Sequence, residues 1–530
     1  MGRGFERHAR TFTALTVVSR VTGLVRDAVL ARAFGAGALL DAFNLAFMAP
    51  NLFRRLFGEG ALTASFLPVY ARLDRDDPQA ARAFAGVMMA VLGIALSALT
   101  IAGEVILWLL PHHNPEAAFG IRLLMLMLPY MPLVCLVAFV GAVLQTHGRF
   151  GPSAASPIIL NLCITGAAFL GSPWRERLGL GAPLPGREAI EQVAWSVLAA
   201  GVLQLAWNLW ALRHHRVRLH LGVRGNAAHL RETVVKALPM VLGLGIFQVN
   251  TAIDGLVAGW RSSVGPTIMG VPFPLPEGSL THLTNAQRLY EFPLGVFGVA
   301  IATAIFPALA RESAEPARFL DTLRRGLRLS FFVGFPASVG LVLVREPLVA
   351  AVFQGGKYTH DDVRDVAFVL AMYAPAVWAY SMQQVATRAF YALGDTRTPV
   401  RVSVWMVFLN LALNLTLIWT PLRVGGLALS TAVCAVIQLA VMARLMHRRM
   451  GDAAGPVVDR ETRGSLARTV AASAAMAAVT GLASIAFAGE ESWLWSVGAL
   501  LALSGIGAVS FVAAARLLRM PELGWALRGK

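Results

Sequence analysis

The sequence predicts an all-α polytopic membrane protein of about 14 transmembrane helices, arranged as two six-helix pseudo-repeats plus two extra C-terminal helices. Three observations carry this expectation. Hydrophobic residues make up 56% of the chain and charged residues only 14%, with a mean hydropathy of +0.62; a soluble domain carries about 25% charged residues. Apolar segments of about 20 residues, the length that crosses a bilayer, recur along the chain. Short matches also recur at a nearly constant offset of about 240–250 residues, which corresponds to six helices.

In chain order the candidate spans are 12–34, 39–71, 84–110, 119–146, 153–171, 192–212, 232–260, 284–310, 326–344, 362–393, 399–420, 425–447, 466–488 and 492–517. The second is too long for one straight span. Pro50, Gly58 and Gly60 mark where it breaks or bends, since irregular backbone is tolerated at membrane depth where it lines a cavity. The basic start (Arg3, Arg7, Arg10) imitates a cleaved signal peptide. Arg20, Arg26 and Asp27 interrupt its apolar run, so the segment reads as a retained first helix.

Loops 72–83, 213–231, 311–325, 394–398 and 448–465 fall on one side with both termini. That side carries roughly four times as many Lys and Arg as the other, so it is expected to be cytoplasmic. Loops 172–191 and 261–283, rich in Pro and Gly, then face outward. The formal charge of +16 is this positive-inside pattern, not a nucleic-acid groove. Cys135, Cys163 and Cys434 lie in apolar segments and read as free thiols without a disulfide framework. The pair His112–His113 lies in an outer loop and reads as solvated rather than metal-binding.

The repeat aligns ALTASFLPVYAR (61–72) with AIATAIFPALAR (300–311), and Pro129, Pro152 and Asn161 with Pro375, Pro399 and Asn410. An even number of helices between copies makes them parallel, and two such bundles with a site between them is a common secondary-transporter plan. The expected organisation is a first lobe at 1–212, a basic linker at 213–231 and a second lobe at 232–447. A cytoplasmic loop at 448–465, an extra helix pair at 466–518 and a tail at 519–530 complete the chain. No soluble catalytic domain fits between the spans. FQGGKYTHDD (353–362) fails as a phosphate loop because Ala351 and Tyr358 occupy required Gly and Ser/Thr positions, so no ATPase and no enzyme activity is expected.

The chemistry concentrates between Ser19 and Arg72, where ionisable residues interrupt two apolar spans. Each charge at the bilayer centre costs at least about 2.5–3.5 kcal/mol, so several together point to a polar cavity that admits an anion. Arg20 and Arg26 lie ~9 Å apart along the first helix. Arg20, Gly23 and Asp27 share a stripe. Arg54 comes from the second span and Arg288 from the eighth. Guanidinium groups match phosphate oxygens two at a time, so arginines from several helices suit a diphosphate. Asp27, Asp41, Glu59 and Glu291 are the candidates to hold them when the cavity is empty. Arg55 with Glu59 also reads as an i,i+4 structural pair, and Arg32 and Arg72 as snorkelling anchors. Asp254, Asn410, Asn414, Ser430 and Thr431 offer one carboxylate and several neutral oxygens. That inventory suits a monovalent cation such as Na⁺, or serves as polar adhesive between helices.

The motifs SRVTGLVRD, RAFGAG, DAF and PNLFRRLFGEGA, with the later RLYEFPLGVFG, FQGGKYT and DTRTPV, resemble the MurJ (MviN-type) lipid II flippases. The resemblance covers the first twelve spans. It implies the fourteen-helix fold of the multidrug/oligosaccharidyl-lipid/polysaccharide exporters. It also implies alternating-access transport of lipid II, a polyprenyl-pyrophosphate disaccharide-pentapeptide, from the inner to the outer leaflet of the bacterial cytoplasmic membrane. The family's cavity residues fall on Ser19, Arg20, Arg26, Asp27, Arg54 and Arg288. Spans 466–488 and 492–517 would offer a groove for the lipid tail. The implied partners are lipid II, membrane lipids and cell-wall synthesis proteins, with no nucleic acid and no cofactor beyond Na⁺ or the membrane potential as a driving force. Two departures stand out: Gln287 replaces an acidic residue before Arg288, and the loop 261–283 is longer, either shaping the outer gate or inserted inertly.

Other readings differ in cavity chemistry. A flippase for another polyprenyl-pyrophosphate glycan shares the basic lining. A multidrug cation exporter calls for unpaired carboxylates and aromatics, which arginine lining opposes. An enzyme on lipid-linked sugars needs acidic residues in a sizeable outer loop, and 261–283 offers only Glu277.

Overall fold

The computed structural model describes residues 2–58, 61–110, 115–171, 174–177, 179, 181–217, 219–222, 227–451, 455–487, 489 and 492–528. They form two compact units, 1–281 and 282–530, and are very largely helical. Glu59, Gly60 and the pair His112–His113 lie outside the described residues.

Unit 1 opens with α1 (Gly2–Phe34) and α2 (Ala38–Phe53). The long second segment is broken as expected: α2 contains Pro50 and runs into a π turn, Arg54–Gly58, before α3 (Ala61–Asp76). Next comes α4 (Pro78–Leu109), with Pro78 in its first turn and the Asp77 carboxylate accepting from the Gln79 and Ala80 amides at 2.9 and 3.0 Å. The fourth predicted span is two helices, α5 (Pro115–Met127) and α6 (Tyr130–Thr146), interrupted at Pro129. The unit continues with α7 (Gly151–Gly171), the short α8 (Trp174–Arg177), α9 (Gly186–His214) and α10 (Ala227–Ala258). Then follow α11 (Trp260–Ser263), an antiparallel hairpin of β1 (Thr267–Ile268) and β2 (Val271–Pro272), and the first residues of α12 (Ser279–Pro293). Loop 261–283 is therefore structured, which periodicity did not reveal. The core of the unit centres on stacked rings: Phe66 lies 5.3 Å from both Tyr70 and Phe84, and 4.7 Å from Phe139.

Unit 2 takes up the rest of α12 and repeats the pattern. A second π turn, Leu294–Gly298, follows Pro293 and leads into α13 (Val299–Arg311). The two π turns begin 240 residues apart. After α14 (Pro316–Leu343) comes α15 (Arg345–Phe353), a short helix that the span search missed. A capping box on Thr359 and Asp362 starts α16 (His360–Tyr373), which breaks before α17 (Ala376–Ala392) at Pro375, the counterpart of Pro129. The sequence continues with α18 (Arg397–Leu417), α19 (Val424–Met450), α20 (Arg460–Ile485), α21 (Trp493–Leu517) and α22 (Pro521–Arg528). The last helices pack on α14: Phe332 meets Phe511 at 5.2 Å, and buried Arg328 bonds Glu461 at 2.6 Å and fully buried Glu522 at 2.7 Å.

The lobe division expected at 213–231 falls before α10, whereas the two units part after it. Close approach explains why α10 stays with unit 1. A Cβ at Gly255 would stand 2.7 Å from the Met48 sulfur, and Glu232 accepts from Arg72 at 3.0 Å.

Among the described residues nine helices are long and apolar enough to cross a membrane, with 117–146 of α5 and α6 taken as one, or ten with α16 and α17 as one span bent by 41°. The other four expected spans are also helical: α1, α2 through α3, α10, and α12 through α13. These four carry Arg20, Arg26 and Asp27, Arg54, Asp254 and Arg288 respectively.

Met269 stands fully exposed at the hairpin tip. If both termini are cytoplasmic, Met269→Cys in a Cys-free background is labelled by an impermeant reagent from outside the cell. Labelling only after the cytoplasm is opened would reverse the orientation read from the cation asymmetry.

Candidate functional site

The residues of α1 are held in place by α7 and α2. Arg26 is 8% exposed, and its Nε and Nη2 donate to one Asp27 oxygen at 2.9 and 2.6 Å. Neighbours in sequence do not share a helix face, so this contact depends on the length of the arginine side chain. Nη1 donates to the Asn161 side-chain oxygen of α7 at 3.0 Å, and the guanidinium lies 5.9 Å from the Phe47 ring centre on α2. Three of five N–H donors are thereby engaged, leaving two. Ser19 is half-buried, and its carbonyl accepts from the Asn161 amide at 3.2 Å. Arg20 is exposed.

Arg54 opens the first π turn, with Nε 3.4 Å from the Asn51 side-chain oxygen. π turns are frequent at functional sites because the extra residue redirects side chains. Arg54 and Arg26 both lie within electrostatic range of the Tyr130 phenol, which donates to Gln204 at 3.2 Å and stacks on Phe47 at 6.4 Å. Unit 1 thus gathers two arginines around a Phe47–Tyr130 wall.

In unit 2, Arg288 is exposed on α12. Gln287 donates to Glu291 at 3.1 Å, an i,i+4 hydrogen bond along α12. Tyr290 stacks on Tyr373 at 4.6 Å and lies 6.5 Å from Tyr380.

Asp41 was expected to hold an arginine, and its surroundings give it another task. It is fully buried and accepts four bonds: from Ser262 Oγ at 2.9 Å, the Gly278 amide at 2.8 Å, and Thr281 N and Oγ1 at 2.8 and 2.7 Å. Gly278 has a φ of +84°, and a Cβ there would stand 2.4 Å from the Ala36 carbonyl. Asp41 therefore anchors loop 261–283 and the start of α12. Glu59 lies outside the described residues.

The candidate cation ligands divide. Ser430 Oγ bonds Asn410 Oδ1 at 3.0 Å and also Asn414 Oδ1, while Thr431 Oγ1 donates to the Leu427 carbonyl at 3.1 Å. Asp254 accepts from Asn250 at 3.4 Å in unit 1. Among the described residues no three His, Cys, Asp or Glu side chains group as metal ligands. The three cysteines are free. Phe47 and Asn51, neighbours of the arginines, carry no signal in the sequence pattern. Asn161 is legible there only as the repeat partner of Asn410.

Broken spans carrying buried charge define a class, the polytopic membrane transporters. The fold matches a multidrug resistance MATE family transporter of the MOP superfamily in an inward-facing conformation (TM-score 0.63, 12% identity, covering 83% of this chain and 98% of that one). It also matches a lipid II flippase MurJ in an inward closed conformation (TM-score 0.76, 21% identity, 96% and 98%). The chain belongs to the lipid II flippase MurJ family: the family model matches residues 30–504, and the probable lipid II flippase MurJ of Vibrio cholerae is 31% identical over 96% of this chain and 94% of its own length.

Asp41→Ala strands buried donors on Ser262, Gly278 and Thr281. A buried unsatisfied group costs about 1–3 kcal/mol, so the purified variant is expected to melt well below the wild type and to accumulate less in membranes. An unchanged melting curve would show that loop 261–283 is anchored elsewhere.

Proposed function

We propose that this protein moves lipid II, a polyprenyl-pyrophosphate disaccharide-pentapeptide, from the inner to the outer leaflet of a bacterial cytoplasmic membrane by alternating access. Family membership supports the reading, and the observation that carries it is Arg26, buried, pre-oriented and left with two unengaged N–H donors. The head group must cross about 30 Å of hydrocarbon, and its diphosphate needs a substitute for water along the way. Arg26, Arg54 and Arg20, with Arg288 carried over from the family motif, take that role. Asp27 is the counter-charge that keeps Arg26 tolerable when no substrate is bound. A ligand shifts a conformational equilibrium only by interacting differently with its two states. Diphosphate supplies that difference by neutralising arginines whose charge opposes closure in the empty protein. Nothing covalent is required, so we read the activity as transport alone.

The energy source is read from the second constellation. The Asn410 and Asn414 side-chain oxygens both converge on the Ser430 hydroxyl, which favours interhelical adhesive there, and Asp254 is the carboxylate through which Na⁺ would act. If Na⁺ binds the native state, sodium stabilises the purified protein more than potassium does, by about 2.7 kcal/mol at 100 times Kd. Asp254→Asn removes the difference. Equal shifts in the two salts for the wild type leave these residues as adhesive.

For the transport reading, Arg26→Ala and Arg288→Ala are expected to abolish flipping of lipid II in proteoliposomes at normal abundance. The Lys variants keep a fraction of the rate, because a point charge loses the two-pronged geometry. Wild-type rates in all four variants would overturn the diphosphate role.

A further inference from the structure

We infer that Asn161 is a positioning residue for diphosphate recognition: it fixes the plane and direction of the Arg26 guanidinium from α7. This rests on the reading that Arg26 binds the diphosphate. Asn161 is 5% exposed, and its side chain is used in both senses. Its oxygen accepts from Arg26 Nη1 at 3.0 Å, and its amide nitrogen donates to the Ser19 carbonyl at 3.2 Å and to Thr22 Oγ1 at 3.1 Å. Thr22 in turn donates to the same Ser19 carbonyl at 3.0 Å. The network admits one orientation of the amide. Turned over, it would set N–H groups against a guanidinium and an oxygen against a carbonyl.

The geometry matters because Asp27 alone does not determine where Arg26 points. Both contacts to Asp27 converge on a single oxygen, Oδ1, and a guanidinium can pivot about one point. Asn161 adds a second fixed point on the opposite nitrogen, and Phe47 limits motion out of the plane. A neutral residue suits this task better than another carboxylate, because it holds the cation without cancelling the charge that the substrate must meet.

The repeat gives independent support. Asn410 occupies the matching place in the second copy, on α18. There its oxygen accepts from the Ser430 hydroxyl of α19. The same residue type thus closes an interhelical contact in both copies, and in the first its oxygen is turned to an arginine.

The test is a double-mutant cycle on lipid II binding to the purified full-length protein, comparing wild type, Asn161→Ala, Arg26→Ala and the double variant. Contacting residues couple and independent ones add. Asn161→Ala is expected to weaken binding about tenfold when Arg26 is present and less than about twofold in the Arg26→Ala background. Equal losses in both backgrounds, or none in the first, would overturn the inference. Should Asn161→Ala lower abundance, Asn161→Ser carries the same expectation, since its hydroxyl is satisfied within its own helix and cannot reach the guanidinium. Undiminished binding by Arg26→Ala would instead defeat the diphosphate reading of Arg26, so the two failures are distinguishable.

Discussion

An arginine cannot be neutralised by losing its proton, and its charge inside a membrane protein must therefore be met by geometry. Arg26 shows how this chain does so. One carboxylate oxygen, one amide oxygen and one aromatic face surround the guanidinium while leaving part of its donor capacity unspent. Arg328 meets the same constraint with the opposite outcome, since Glu461 and Glu522 bracket it and Trp525 covers it at 5.0 Å. The first arrangement is incomplete and suits a ligand. The second sets two carboxylates against one guanidinium and suits a joint, here between α14 and the C-terminal helices.

The two halves solve their internal packing with the same devices. Each has a π turn ahead of a proline-containing helix, and each has a span broken at a proline, Pro129 or Pro375. Each also locks two helices with an amide. Gln204 donates to the Ser156 carbonyl at 2.6 Å between α9 and α7, and Gln438 donates to the Ser403 hydroxyl at 2.9 Å between α19 and α18. Polar ties of this kind matter where lipid offers helices no hydrophobic reason to associate.

Hydropathy and charge made the spans legible, because a bilayer imposes length and composition on any helix that crosses it. The break in the second span was legible too, from Pro50 and Gly58. The hairpin at 267–272, α15 and α22 were not, since elements this short carry no such imprint. Among candidate site residues, Asp27 was legible as a counter-charge, but helix periodicity sets it on the stripe of Arg20, whereas its contact is with Arg26. Asp41 could not be placed, because its four donors come from residues more than 200 positions away. The seat of α10 was not legible for a similar reason: it depends on Gly255 and Glu232, whose partners lie on helices far back in the chain.

A π turn holds about one residue more than an α turn, so it shifts the phase of everything that follows by about 100°. Straightening Arg54–Gly58 by loss of one residue would swing Phe66 and Tyr70 out of their stack with Phe84 and Phe139 and carry Arg72 away from Glu232. Changing a side chain leaves that phase intact. The two copies bear this out in their spelling, RRLFG in one and LGVFG in the other, alike in length and in the closing Phe-Gly. In these turns the number of residues, more than their identity, decides which face of the next helix meets the core.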